Sequence, residues 1–391
     1  MIKITLFSQI INKINKSSFK NLVSRHGTDK HTKGISSWTH FVSMIFLHLS
    51  KSSSLREISN GLKSATGNVN HMGITKIPSK SSLSYINAHR DWHFFHDLYF
   101  DLYSQLASGM GGNARKFKIK KKRLLLLDST VISLCMSVFD WAKYKTTKGA
   151  IKLHTLLDYD TCMPEYVLFS EGKVHDARAA HMIPLPKDSL VVADRGYVDF
   201  KLLNNWDSSG NNFVVRLTST VKFDVVKAHG VLGLEKDGII SDEAVELSEE
   251  NTKLKYQGKL RRVRVYDEKN HQVIQLVTNN LRWSAATIGN LFKARWQIES
   301  FFKEVKQHMK IKTFVGTSEN AVLIQIWTAL ISILILKYMK AIAKYPWCLS
   351  NLIAFLRLNL FVKIDLQLWL DKPFEPPDDE IQLPEQFRLL F

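Results

Sequence analysis

Apolar positions along the chain follow two different periods, and the change between them divides it. From the N-terminus to about residue 115 they recur at helical spacing. One example is "SWTHFVSMIFLHLSKSSSLREISNGL", in which "SLREI" offers a Ser N-cap with a Glu three residues on. After Pro78, "SKSSLSYINAHRDWHFFHDLYFDLYSQL" predicts further helix. The Gly-rich and then polybasic stretch "GMGGNARKFKIKKKR" at 109–123 reads as a linker. Beyond it "LLLLDSTVISL", "IKLHTLLDYD" and "EYVLFSEG" predict three strands, the first a continuous apolar run of the kind buried on both faces. A short helix "HDARAAHMI", a strand "SLVVAD", a helix "VDFKLLNNW" and a strand "NFVVRLT" follow. That order predicts an α/β fold, a mixed sheet with helices on its faces, preceded by an all-α region.

Between about 220 and 280 the alternation gives way to hairpin material, "AVELSEE", "KLKYQGKLRRVRVYDE" and "HQVIQLVTNN", which predicts an inserted β-rich subdomain. Helical spacing resumes in "SAATIGNLFKARWQIESFFKEVKQHMK" and continues through "AVLIQIWTALISILIL" at 321–336. The latter run is 16 residues long and contains Gln325, Thr328 and Ser332, whereas a membrane span needs about 20 apolar residues. A buried core helix is therefore expected ahead of a membrane anchor. The chain closes on the acidic, Pro-rich "FEPPDDEIQLPEQF", read as a surface tail. The expected organisation is a helical domain at 1–115, a core begun at 116–219, the β-rich insertion at 220–282, closing core helices at 283–345, and a C-terminal helix with the tail at 346–391.

Composition narrows the partners. The 391 residues are 45% hydrophobic and 11% aromatic, enough for two or three domains with real cores. Lys and Arg number 54 against 36 Asp and Glu, a formal charge of +18. The excess is concentrated: 20 basic residues and only 5 acidic ones precede Asp128. Such an imbalance suits a phosphate polyanion, because each neutralised phosphate releases counterions. Nucleic acid is the favoured partner, ahead of an anionic membrane surface. Cys135, Cys162 and Cys348 are too few and too scattered for a disulfide framework or a zinc cluster, and a reducing compartment is expected. The first twenty residues lack the apolar core and small-residue cleavage site of a secretory signal.

Candidate chemistry lies at strand ends. Asp128 follows "LLLL" and Asp194 follows "SLVVA", so each carboxylate sits at or near the C-terminal part of an apolar strand, where an unpaired charge is costly. On a helix over 291–310, Phe292, Arg295, Glu299 and Lys306 fall within about 60° of one another, beside an apolar stripe of Ile298, Phe302, Val305 and Met309. Asp128, Asp194 and Glu299 together are the set that suits a hard divalent cation, which takes a few carboxylate oxygens and leaves positions open for substrate phosphate. The blander readings are a turn or cap role for each aspartate and an exposed i,i+4 pair for Arg295 and Glu299. Asp158, Asp160 and Asp176 are assigned to turns and caps, and His154 to a structural or phosphate-contacting role. A helix, a turn and a second helix starting in "PSKSSLS" fit either a helix-turn-helix or an ordinary basic bundle.

"LLLLDSTVI", "VVADRGYVDF" and "FKARWQIESFFKEVK" resemble the three acidic motifs of DDE transposases from bacterial insertion sequences, in particular the insertion-sequence-four family. The signature of that family runs Tyr, Arg, Glu, Lys; Arg295, Glu299 and Lys306 match it in identity and spacing, and Phe292 stands where the Tyr would be. The N-terminal helices are similar to the domain attached to these transposases. The resemblance implies an RNase H-like core interrupted by the β-rich insertion and preceded by a DNA-binding helical domain. It further implies that Asp128, Asp194 and Glu299 bind two Mg²⁺ ions, for which Mn²⁺ can substitute, while Arg295 and Lys306 hold DNA phosphates. Phe292 and Trp296 are placed to stack on an unpaired base or to pack, and Arg195 and Tyr197 to contact the DNA. The activity implied is cut-and-paste transposition on double-stranded DNA: binding of terminal inverted repeats, hydrolysis of the ends, and strand transfer to target DNA. A homodimer in a synaptic complex, in the bacterial cytoplasm at the nucleoid and away from membrane, is the expected setting. The rival readings are an inactive DNA-binding regulator, a metal-dependent nuclease without strand transfer, and a membrane-associated protein anchored by 321–336.

Overall fold

A computed structural model describes residues 4–375 apart from 33, 111–116, 118–122, 135–140, 142, 146, 147 and 269. The polybasic linker and the acidic tail fall largely outside the described residues. The chain forms two compact units, one of 1–110 with 323–391 and the other of 111–322.

The first unit is helical. The Ser54 hydroxyl accepts the Glu57 amide at 3.2 Å and the Glu57 carboxylate accepts the Ser53 amide at 2.7 Å, so the "SLREI" signal caps Leu55–Lys63 as expected. The helix Glu319–Ile342 is the one in the described residues long and apolar enough to cross a membrane, and 89% of its most apolar window is buried. Its polar residues explain how a buried helix tolerates them: Thr328 and Ser332 bond to carbonyls one turn back, and His48 meets the Thr328 hydroxyl at 3.1 Å. Trp327 packs against Tyr99 and Phe100. The C-terminal helices close the unit through Gln9, which donates to the Ile364 carbonyl at 2.6 Å and accepts from the Leu366 amide at 2.9 Å.

The second unit is built on a ten-stranded sheet. Its strands are β1 (Arg123–Leu134), β2 (Lys143–Lys145), β3 (Lys148–Asp158), β4 (Met163–Glu171), β5 (Ser189–Ala193), β6 (Asn212–Leu217), β7 (Phe223–His229), β8 (Ile239–Leu247), β9 (Leu260–Asp267) and β10 (Gln272–Thr278). β1, β3 and β4 form an antiparallel meander, and β5 and β6 then add parallel to β1, giving the core order β4-β3-β1-β5-β6. The remaining strands continue the same sheet, because β10 pairs with β6 and the order runs on through β9, β8 and β7. Arg261 on β9 holds Asp242 on β8 with two hydrogen bonds of 2.7 and 2.5 Å and also reaches the Leu281 and Trp283 carbonyls, tying these strands to the segment that enters the next helix.

Two faces of this sheet are covered differently. Along β1, Leu125 and Leu127 join Val191, Ala193, Phe213 and Val215 in a core closed by Leu202, Leu203 and Trp206 of the helix Phe200–Ser208. Strand alternation turns Leu124, Leu126 and Asp128 to the other face, which the helices Ala285–Ala294 and Trp296–His308 cover.

Candidate active site

Register brings the two aspartates together. The parallel pairing of β1 with β5 ends at Leu127 opposite Ala193, so Asp128 and Asp194 are the next residues on neighbouring strands and share one face. Asp128 lies inside its strand rather than near its C-terminal part: β1 runs on to Leu134, as the strand expected over "LLLLDSTVISL" does, and among the described residues it is paired there with β3 alone. What ends after Leu127 is the neighbouring strand, and that opens the sheet beside Asp128. Asp194 itself has extended backbone, φ −85° and ψ 173°, and leads into a tight turn over Arg195–Tyr197.

Glu299 arrives on the helix Trp296–His308, whose buried face carries Ile298, Phe302 and Val305. The single helix expected over 291–310 is two. Ala285–Ala294 ends in a tightened turn in which the Arg295 amide donates to the Phe292 carbonyl at 3.1 Å, and the next helix starts at Trp296. Arg295 at the break is only 9% exposed. Its guanidinium donates through Nη1 to Asp128 at 2.9 Å and through Nη2 to Glu299 at 2.8 Å. One fixed cation thus spans two carboxylates from distant parts of the chain. The Arg295–Glu299 bond is the i,i+4 pair of the bland reading, but it is anchored on Asp128 rather than solvated.

The Asp128 carboxyl responds to its surroundings. Burial pushes the Asp128 carboxyl up to about 6; Arg295 and the Ser129 amide pull it down, while Asp194 and Glu299 push it further up by repulsion. The Ser129 amide donates to Asp128 at 2.7 Å. Asp194 Oδ1 is buried without a hydrogen-bond partner among the described residues, an arrangement that calls for a cation or donor. Among the described residues, no three His, Cys, Asp or Glu side chains stand close enough to hold a metal as they are. Arg295 occupies that role between Asp128 and Glu299. The donor set, all carboxylate oxygen with one oxygen orphaned, nevertheless fits a hard divalent cation.

The other sequence-predicted residues divide. Lys306 is half-buried two turns beyond Glu299, its ammonium pKa lowered by burial and then by Lys312. Phe292 is buried at the end of the preceding helix, with the Arg295 guanidinium 5.5 Å from its ring centre. Trp296 is 53% exposed. Together with Tyr266, Phe292, Lys293 and Arg295 it lines a cavity of about 330 Å³. Arg195 is exposed, whereas Tyr197 is 1% exposed and belongs to the hydrophobic core, so its ring is not presented to a ligand. Asp158 does cap a turn, accepting the Thr161 amide at 2.8 Å, and pairs with Arg123. Asp176 does more than open its helix. It accepts the Ser129 hydroxyl at 2.7 Å and pairs with Lys152, contacts that no local sequence signal announces.

A meander of three antiparallel strands with two further strands parallel to the first and helices on both faces is an RNase H-like fold. Residues 119–335 match the transposase DDE domain, and the chain belongs to that family. Residues 3–75 match a domain of unknown function. A protein of Sinorhizobium fredii described as the transposase y4zB is 32% identical over 217 residues, 55% of this chain and 60% of that one. One described as a transposase for insertion sequence element IS5377 of Geobacillus stearothermophilus is 28% identical over 218 residues, 56% of this chain and 57% of its own length. One described as a transposase for element IS4SA of Synechocystis is 23% identical over 301 residues, 74% of this chain and 80% of that one. The chain thus spans 57 and 60% of the length of the first two.

Proposed function

We propose that the protein is a cut-and-paste transposase of an insertion sequence, acting on double-stranded DNA at terminal inverted repeats and joining the freed 3′-ends to target DNA. What supports this reading is that strand register sets Asp128 and Asp194 on one face of the sheet and Arg295 ties Asp128 to Glu299, while Asp194 Oδ1 has no hydrogen-bond partner among the described residues. Asp128, Asp194 and Glu299 would hold Mg²⁺, two ions at full occupancy, with Mn²⁺ as substitute. Bound divalent ions supply activation of the attacking oxygen and charge neutralisation at the scissile phosphate. The chain's own part is to fix the carboxylates on rigid strands and a packed helix, and to offer Arg295 and Lys306 as phosphate clamps in the Arg-Glu-Lys spacing of the insertion-sequence-four signature. In the free protein Arg295 neutralises Asp128 and Glu299; a DNA phosphate gives its fork an alternative bidentate partner. Trp296 and the cavity beside it suit an extruded base. The exposed Arg195 suits a backbone contact, and residues 1–115 the recognition of the repeats. Synapsis by a homodimer in the cytoplasm, at the nucleoid, completes the proposal.

Incubation of the full chain with Mg²⁺ and a DNA fragment carrying the element's ends tests it. Strand cleavage at the repeat boundary is expected, at least a thousandfold weaker in Asp194→Ala, on the order of what loss of a group acting as part of a catalytic unit costs. Cleavage at the boundary that persists in Asp194→Ala would defeat the site assignment, and sequence-specific binding without cleavage would favour a regulator.

A further inference from the structure

On the face of β1 opposite Asp128 lies a second polar cluster that the proposed chemistry does not use. Strand alternation turns Ser129 away from Asp128 and toward the helix Asp176–Ala180. There its hydroxyl donates to Asp176 Oδ1 at 2.7 Å. The same oxygen lies 3.1 Å from Lys152 Nζ and 3.4 Å from His154 Nδ1, both on β3. Lys152 also donates to the Val174 carbonyl at 3.1 Å, which fixes the loop before the helix. His154 is fully buried and meets the Ser170 hydroxyl through Nε2 at 2.9 Å. The second carboxylate oxygen faces the turn that follows Asp194. A Cβ on Gly196 would stand 3.1 Å from Asp176 Oδ2, so the turn and the carboxylate approach each other as closely as the missing side chain permits.

Asp176 therefore touches the segments just beyond both aspartates of the site. Ser129 adjoins Asp128 in the chain and holds Asp128 Oδ1 by its amide at 2.7 Å, and Gly196 is two residues past Asp194. Because Lys152 and Ser129 are both only partly exposed, this anchor is sheltered from the water that weakens surface pairs.

We infer that Asp176 is a positioning residue of this site: by holding Ser129 and packing on the Gly196 turn it sets the aim and spacing of the Asp128 and Asp194 carboxylates, and through them the affinity for a divalent cation. The inference rests on the reading of the site as a divalent-metal centre. Loss of an outer-shell partner costs about 10–100-fold in metal affinity, and Asp176 acts one link further out, through Ser129, so the lower end applies.

The test is titration of the full chain with Mn²⁺ alone, following the free ion by electron paramagnetic resonance, with metal-free thermal unfolding measured beside it. Wild type is expected to bind and Asp128→Ala to lose binding, which checks the underlying reading separately. Asp176→Ala and Ser129→Ala should each weaken Mn²⁺ binding by about tenfold. Asp176→Asn, which keeps an acceptor for the Ser129 hydroxyl, should regain most of the loss. Ser129→Ala guards against a misfolded Asp176 variant, because it leaves the Asp176 pair with Lys152 in place. A merely structural role would lower the unfolding temperature while leaving Mn²⁺ affinity unchanged in both variants, and that result, with wild type binding and Asp128→Ala not, overturns the inference alone. A wild-type chain that binds no Mn²⁺ overturns the reading of the site and the inference with it.

Discussion

Arg295 shows how much one side chain decides. Without it Asp128 and Glu299, both partly buried, lose the guanidinium that pairs with each, so Arg295→Ala should destabilise the metal-free fold by about 1–3 kcal/mol at pH 7. That is below the cost of breaking a fully buried pair, because both acids keep some solvent. The loss is pH-dependent, and its sign follows from Asp128. A folded-state pKa of about 6 lies above the carboxyl's ordinary 3.8, so between those values the native state binds a proton that the unfolded chain has released. Stability contributed by this group is present below pH 4 and is lost as pH rises through 6. At pH 5 a neutral Asp128 needs the guanidinium less, and the gap between wild type and Arg295→Ala in urea unfolding should be smaller there than at pH 7. An equal gap at both pH values would mean that Asp128 does not titrate in that window.

At the level of elements, the site is a strand register and a broken helix. The alternating and helical periods made β1, β3, β4, β5 and β6 legible, together with the helices between them, because each element's burial is written in its own residues. The break at Arg295 was not legible: no Gly or Pro marks it, and it exists where the chain turns Arg295 inward to Asp128. Nor did local pattern show that β5 pairs with β1 in the register that sets Leu127 opposite Ala193, since register is a property of the pair. The helix Trp296–His308 holds Glu299 in place through its apolar face. Ile298 is fully buried there, and Ile298→Ala should cost about 2–4 kcal/mol in denaturant unfolding. A cost below about 1 kcal/mol would show that this helix is loosely held and that Glu299 is not fixed by its packing.

The charge of the whole molecule sets its reach. A surplus of +18, weighted toward the residues before Asp128, predicts that duplex DNA of any sequence binds and that binding weakens steeply with salt. Fluorescence anisotropy with a labelled random duplex should show about a tenfold or greater loss of affinity between 50 and 200 mM salt, as two or three released counterions require. A flat salt profile would remove nucleic acid as the reason for the charge. The apolar helix Glu319–Ile342 belongs to the same scale: composition alone leaves a core helix and a membrane span alike, and burial against Tyr99, Phe100 and His48 separates them.

The sequence by itself determined the helical first region, the core strands β1 and β3 to β6, that the chain is strongly basic, and which acids follow apolar runs, because periodicity, charge and the cost of burying a carboxylate are properties of short stretches. Only the tertiary structure decided that Asp128 and Asp194 stand side by side, that Arg295 bridges Asp128 to Glu299, that Tyr197 is core, and that Asp176 anchors Ser129. Each of these is a meeting of segments far apart in the chain, fixed by strand register and by which face of the sheet a helix covers, and no local pattern carries that information.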